Sequence, residues 1–243
     1  MVAKYKGITQ GGLPMNGKQF VEKIIRDNQA LFVASQMNVK QYFNDKPEEI
    51  VDHFIGRMVN ERMNMVEISK QVANAPADAD PVELQLLAKQ AQDEAKHYKM
   101  VKDVIEHITG EELDVEKAIE RERMLNTAKG ASLLEKYGAQ TDEAALAAYQ
   151  LVAEGRAEAV WLEMSRVIDD DFISSRYGKI SKDEGFHATI GARKLAKLAT
   201  TIDVQERVSA LVDKLRKDLF EISCKNTVEA NGSRELVNTA YGW

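Results

Sequence analysis

Two five-residue frames in this chain bring together side chains that can bind a metal. Asp93-Glu94-Ala95-Lys96-His97 and Asp183-Glu184-Gly185-Phe186-His187 both read Asp-Glu-x-x-His, and they hold two of the four histidines in 243 residues. On a helix, positions i and i+3 share a face, so each glutamate can converge with its histidine on one point. A carboxylate oxygen beside an imidazole nitrogen suits a divalent first-row metal ion. The aspartate before each glutamate, Asp93 or Asp183, is placed to accept a hydrogen bond from the imidazole and so orient it.

Both pairs interrupt apolar stripes of helical spacing. One stripe runs Leu84, Leu87, Ala91, Glu94, His97, Val101, Val104, Ile108, and the other Ile173, Tyr177, Ile180, Glu184, His187, Gly191, Leu195, Leu198. A carboxylate left unpaired in a core costs on the order of several kcal/mol, so a positive charge must lie opposite it. The matching stripes offer too few lysines or arginines to serve, and a metal ion is the expected counter-charge.

The helix before each frame should supply one more carboxylate at the same depth. Glu61 lies within the stripe Ile50, Phe54, Met58, Glu61, Met65, Ile68, Val72, whereas Glu67 shares a polar face with His53, Asn60 and Gln71. In the second half Glu154 and Glu158 lie one turn apart on a stripe with Ala147, Leu151, Trp161 and Ile168. Depth favours Glu154 as the ligand and leaves Glu158 as a carboxylate behind it or facing a substrate; the choice between the two stays open. Glu61 precedes Glu94 by 33 residues and Glu154 precedes Glu184 by 30, an approximate internal repeat. The expected metal ligands are Glu61, Glu94, His97, Glu154, Glu184 and His187.

Helices must position all of these. Ala, Glu, Lys, Leu and Met fill the long segments, and no period-2 stretch bounded by turn signals suggests a strand. An all-α chain is expected: a loose arm over 1–15, a single helical domain over 16–225 and a tail over 226–243. Within the domain the pattern predicts helices over 16–44, from Pro47 to 74, over 81–108, from 141–143 to 168–170, over 171–199 and over 204–224. One or two shorter helices fill a crossover at 114–140. Pro47 suits a first helical turn, Asp80 an N-cap and Gly110 a helix stop. The 14 glycines are read mostly as turn residues.

A glutamate from each of two helices plus Glu-x-x-His from each of two others is the ligand set of the ferritin-like di-iron carboxylate proteins. Over about 47–199 the chain resembles that superfamily. The Asp-Glu-x-x-His form is similar to that of bacterial multicomponent monooxygenases and ribonucleotide reductase small subunits. Ala153-Glu154-Gly155 followed by Lys182 to His187 is similar to the second half of aldehyde-deformylating oxygenases, and the helical lead-in resembles phenylacetyl-CoA epoxidase subunits. The resemblance implies a ferritin-like four-helix bundle with added N-terminal, crossover and C-terminal helices. It implies a di-iron centre, or a manganese–iron one, that uses O2 to oxidise a small organic substrate by hydroxylation, N-oxygenation, desaturation or C–C cleavage. Electrons would come from a reductase, a ferredoxin or the substrate, and a homodimer is the expected assembly. The alternative is bacterioferritin-like iron oxidation and storage. The extra helices and the crossover of more than fifty residues between His97 and Glu154 favour the oxygenase.

The remaining features point to ordinary roles. Net charge is −6 with scattered basic residues, which argues against nucleic acid or an anionic membrane as partner. Cys224 is the only cysteine, so no disulfide framework and no cysteine metal knuckle is expected. The first 17 residues have no signal-peptide core and no apolar run reaches membrane-spanning length, so the expected location is cytoplasmic. His53 and His107 read as structural, Met58, Met63 and Met65 as core filler, and Trp161, Tyr177 and Tyr98 as packing.

Overall fold

A computed structural model describes residues 15–45, 49–125 and 142–230, with isolated positions at 133, 136, 137, 234, 237 and 238. Every regular element among the described residues is a helix: α1 (Gly17–Asp45), α2 (Ile50–Ala73), α3 (Pro81–Thr109), α4 (Val115–Leu125), α5 (Glu143–Val167), α6 (Asp171–Leu198), α7 (Ile202–Ser223) and α8 (Lys225–Ala230). None of them is long and apolar enough to cross a membrane. Residues 1–14 of the expected arm, most of the second half of the crossover, and most of the tail past 230 lie outside the described residues.

Local chemistry sets the helix ends. Asp80 Oδ1 accepts the Val82 N–H at 2.9 Å and Pro81 occupies the first turn of α3, while Gly110 stops that helix in the left-handed region at φ 69°. Asp142 Oδ1 accepts the Ala144 N–H at 3.0 Å at the start of α5, and Asp170 Oδ1 does the same for Ile173 at the start of α6. Each carboxylate satisfies a donor that the first helical turn leaves open.

The chain divides into two compact units, one of 1–39, 140–160 and 184–243, the other of 40–139 and 161–183. Helices α1, α5 and α6 therefore each contribute to both. In the second unit α2 and α3 pack along one another as a helical hairpin, with α4 against α2. Its core gathers Phe54, Met58, Val101, Val104, Ile105, Trp161, Met164 and Tyr177. Two residues expected inside turn outward instead: Met63, read as core filler, and Ile108, the last of its stripe, are exposed. Met63 follows Glu61 by two positions, about 200° around the helix, so burying Glu61 directs Met63 to solvent.

In the first unit α1, α5, α6 and α7 enclose Phe20, Ile24, Leu31, Ala147, Leu195, Val212, Leu215 and Phe220. Arg216 anchors α7 through Nη1 to the Asp27 carbonyl at 2.9 Å, and Arg207 of α7 pairs with Asp142. The expectation that glycines mark turns fails here: Gly17, Gly56, Gly155, Gly178, Gly185 and Gly191 are helical. Helix packing is the reason at Gly191, where a Cβ would stand 2.7 Å from the Ala147 carbonyl oxygen and from the Leu151 nitrogen, so α5 and α6 meet backbone to backbone.

Candidate metal centre

In the α2–α3 hairpin, Glu61 projects from α2 and Glu94 and His97 from α3. Glu94 and His97 are fully buried and Glu61 is 3% exposed. Each offers one ligand atom, and these atoms lie within 4.8 Å of one another. His97 Nδ1 stands 3.5 Å from Glu61 Oε2 and 3.9 Å from Glu94 Oε2. Donor atoms around one ion at ~2.1 Å sit roughly 3–3.5 Å apart, so the spacing needs little closure.

The other ring nitrogen of His97 is engaged elsewhere. Nε2 lies 3.2 Å from Asp183 Oδ2, and Asp183 also pairs with Lys96. The hydrogen bond from His97, joined by Lys96, holds the Asp183 carboxyl well below the usual carboxylate range, so it is an ionised acceptor. An Nε2–H donated to Asp183 would leave the Nδ1 lone pair turned toward two buried carboxylates. Glu61 Oε2 accepts no hydrogen bond among the described residues. Three electron-rich groups then face one another, an arrangement that a cation stabilises and that water or apolar packing does not.

The first unit holds a triad of the same composition. Glu154 comes from α5 and Glu184 and His187 from α6, with ligand atoms again within 4.8 Å of one another. His187 Nδ1 stands 3.2 Å from Glu184 Oε2. Glu184 and His187 are buried and Glu154 is half-buried.

Glu158, the alternative to Glu154, belongs to an exposed residue position one turn farther on. Its carboxylate lies over Gly185: a Cβ there would meet Glu158 Oε1 at 2.8 Å. Partial desolvation raises the Glu158 pKa above the ordinary glutamate value, and the Glu184 charge adds to the rise.

No protein-family model, curated protein or solved structure matches the chain. The reading of the site rests on these buried Glu/His groups, whose chemistry fits a metal ion.

Two expectations about the surroundings are corrected. Asp183 was expected to orient the histidine of its own frame; it bonds His97 of the other frame instead. A helical i,i+4 neighbour looks along its own axis, whereas a facing helix can place a carboxylate in line with the ring nitrogen. Asp93 is buried and paired with Lys89, with Lys96 Nζ 3.7 Å away. Second, a cation does reach inward: half-buried Arg57 places Cζ 4.5 Å from the Trp161 ring centroid, with Nε and Nη2 shut off from solvent. Arg57 precedes Glu61 by one helical turn, and this i,i+4 spacing was the available signal in the sequence.

The residues read as structural have packing contacts. His107 Nε2 lies 2.9 Å from Asp170 Oδ2 and its ring stacks on Phe172 at 4.3 Å. His53 makes edge contacts with Phe43 and Phe54. Trp161 and Tyr177 are fully buried against each other, centroids 4.8 Å apart. Burial pushes the Cys224 thiol up to about 12, so it stays protonated at neutral pH.

Proposed function

We propose that the Glu61–Glu94–His97 and Glu154–Glu184–His187 triads together hold two iron ions inside a ferritin-like four-helix bundle, and that the protein is an O2-dependent oxidase or oxygenase of a small organic molecule. The observation that carries this reading is His97, with Nε2 bonded to an ionised aspartate and Nδ1 turned to two buried carboxylates. That is how proteins orient a histidine for metal binding. The repeated Asp-Glu-x-x-His frame supports pairing the triads. Charge supports it too, since four carboxylates are balanced by two divalent cations.

Bound as a pair, ferrous ions supply electrons to O2. The residues of the chain do the rest. His97 and His187 donate neutral nitrogens; Asp183 fixes the His97 tautomer. Glu61, Glu94, Glu154 and Glu184 would hold the ions and offset their charge. Phe54, Met58 and Trp161 keep the hairpin interior dry. The same ligand types accept manganese beside iron.

Anaerobic loading with Fe(II) followed by O2, watched optically with a reductant and candidate substrates, tests the reading. About two iron ions per chain and turnover that continues while donor and organic substrate last are expected. Mineral formation by a many-subunit shell would replace this reading with iron storage, and a protein that takes up no metal would end both.

A further inference from the structure

Beside Glu61 the hairpin unit holds two polar side chains that metal binding does not use, one fully buried and one half-buried. Tyr177 is completely buried, and its Oη makes no hydrogen bond among the described residues. Folded proteins rarely leave a buried hydroxyl in that state, and when they do a water or a ligand usually completes it. The phenol ring is walled by Trp161 at 4.8 Å and Phe54 at 5.4 Å. Over the Trp161 ring, 4.5 Å from its centroid, lies the guanidinium of Arg57, with two of its nitrogens shut off from solvent. Burial raises the Tyr177 hydroxyl well above its usual value, with Arg57 close enough to oppose the rise and Glu61 close enough to add to it. A neutral phenol, an available donor, thus shares one neighbourhood with a half-buried cation and a glutamate of the hairpin triad.

We propose that Arg57 and Tyr177 form the anion-binding end of the substrate site, and that the substrate is a small organic carboxylate. This deepens the oxygenase reading and depends on it for the chemistry that follows binding. The planar guanidinium matches a carboxylate in shape and charge, and its five N–H donors let it bond an incoming anion while keeping protein partners. The Tyr177 O–H donates to a carboxylate oxygen and so gains its missing bond. Phe54 and Trp161 make the surroundings of the phenol apolar and aromatic. A neutral substrate would gain nothing from the cation and would still require its partial desolvation.

Binding can be measured on the metal-free full chain through tryptophan fluorescence, in a Trp243→Phe background so that Trp161 reports alone. The probes are hexanoate and benzoate, the neutral hexanamide and benzamide, and inorganic phosphate. Both acids are expected to change the emission saturably, with the amides and phosphate weaker by roughly tenfold or more. Tyr177→Phe is expected to weaken the acids about tenfold without lowering the melting temperature, because its hydroxyl makes no hydrogen bond among the described residues. Arg57→Gln should abolish binding and Arg57→Lys should restore part of it. Equal binding of acids and amides, tighter binding of phosphate, no binding of either acid, or full acid affinity in Tyr177→Phe would each overturn the proposal. Iron uptake is assayed separately on the same samples. Acid binding by a protein that takes up no iron would support the anion site and overturn only the dinuclear centre.

Discussion

His97 Nε2 and Asp183 Oδ2 stand 3.2 Å apart, so the aspartate of the second Asp-Glu-x-x-His frame bonds the histidine of the first. Lys96, one position before His97, pairs with the same carboxylate. The contact fixes which ring nitrogen faces Glu61 and Glu94.

Asp183→Asn keeps the shape and removes the charge that stabilises the Nε2–H tautomer. Metal affinity is expected to fall about 10- to 100-fold while the far-UV circular dichroism stays helical. Competition with a chromophoric chelator measures it; an unchanged affinity would mean that Asp183 does not act on the metal through His97.

Glu154 and Glu158 make opposite predictions. Glu154→Gln, like Glu94→Ala or His187→Ala, should remove about one metal equivalent per chain, because each takes a donor from a triad. Glu158→Gln should leave the stoichiometry intact, since its carboxylate lies over Gly185 and outside the triad. Elemental analysis of the loaded variants decides, and a reversed pattern would exchange the two assignments.

Gly191 allows the backbones of α5 and α6 to touch. In Gly191→Ala the new Cβ would meet main-chain atoms of Ala147 and Leu151 at 2.7 Å, which no side-chain rotation relieves. A loss of about 1–3 kcal/mol is expected from such overpacking. Urea unfolding measures it, and a variant as stable as the parent would contradict the close approach.

Asp142 couples helix capping to acid stability. Its carboxylate pairs with Arg207 and accepts the Ala144 and Ala145 N–H groups, and these contacts lower its pKa, the Arg207 hydrogen bond most of all. For a carboxyl lowered in the folded state, the stabilisation is complete above the unfolded value near ~3.9 and disappears as pH falls through the folded value. Asp142→Ala should therefore cost about 1 kcal/mol at neutral pH and progressively less toward pH ~3. Thermal melts from pH 7 to 3 would show the two proteins converging; a gap that widened in acid would have the wrong sign.

The helices and the depth of their polar interruptions were legible because both follow from periodicity. Glu61, Glu94, His97, Glu184 and His187 sit on stripes whose neighbours are apolar every third or fourth residue, and all five are buried. Asp80 and Gly110 signal the two ends of α3 through local chemistry alone. Ile108 closes its stripe, where a residue can turn either way and only the neighbouring helix decides, whereas Met63 lies off the stripe, opposite Glu61, and its composition alone suggested burial.

One-dimensional spacing determined which residues share a helix face, and therefore that each frame can present a glutamate and a histidine together. It had no access to what stands across from that face. That Asp183 belongs to His97, that Arg57 lies over the Trp161 ring, and that Gly191 admits a neighbouring backbone are relations between helices. They are set by the angle and depth at which helices pack, quantities that depend on the sum of all side-chain volumes in the core and on no single motif.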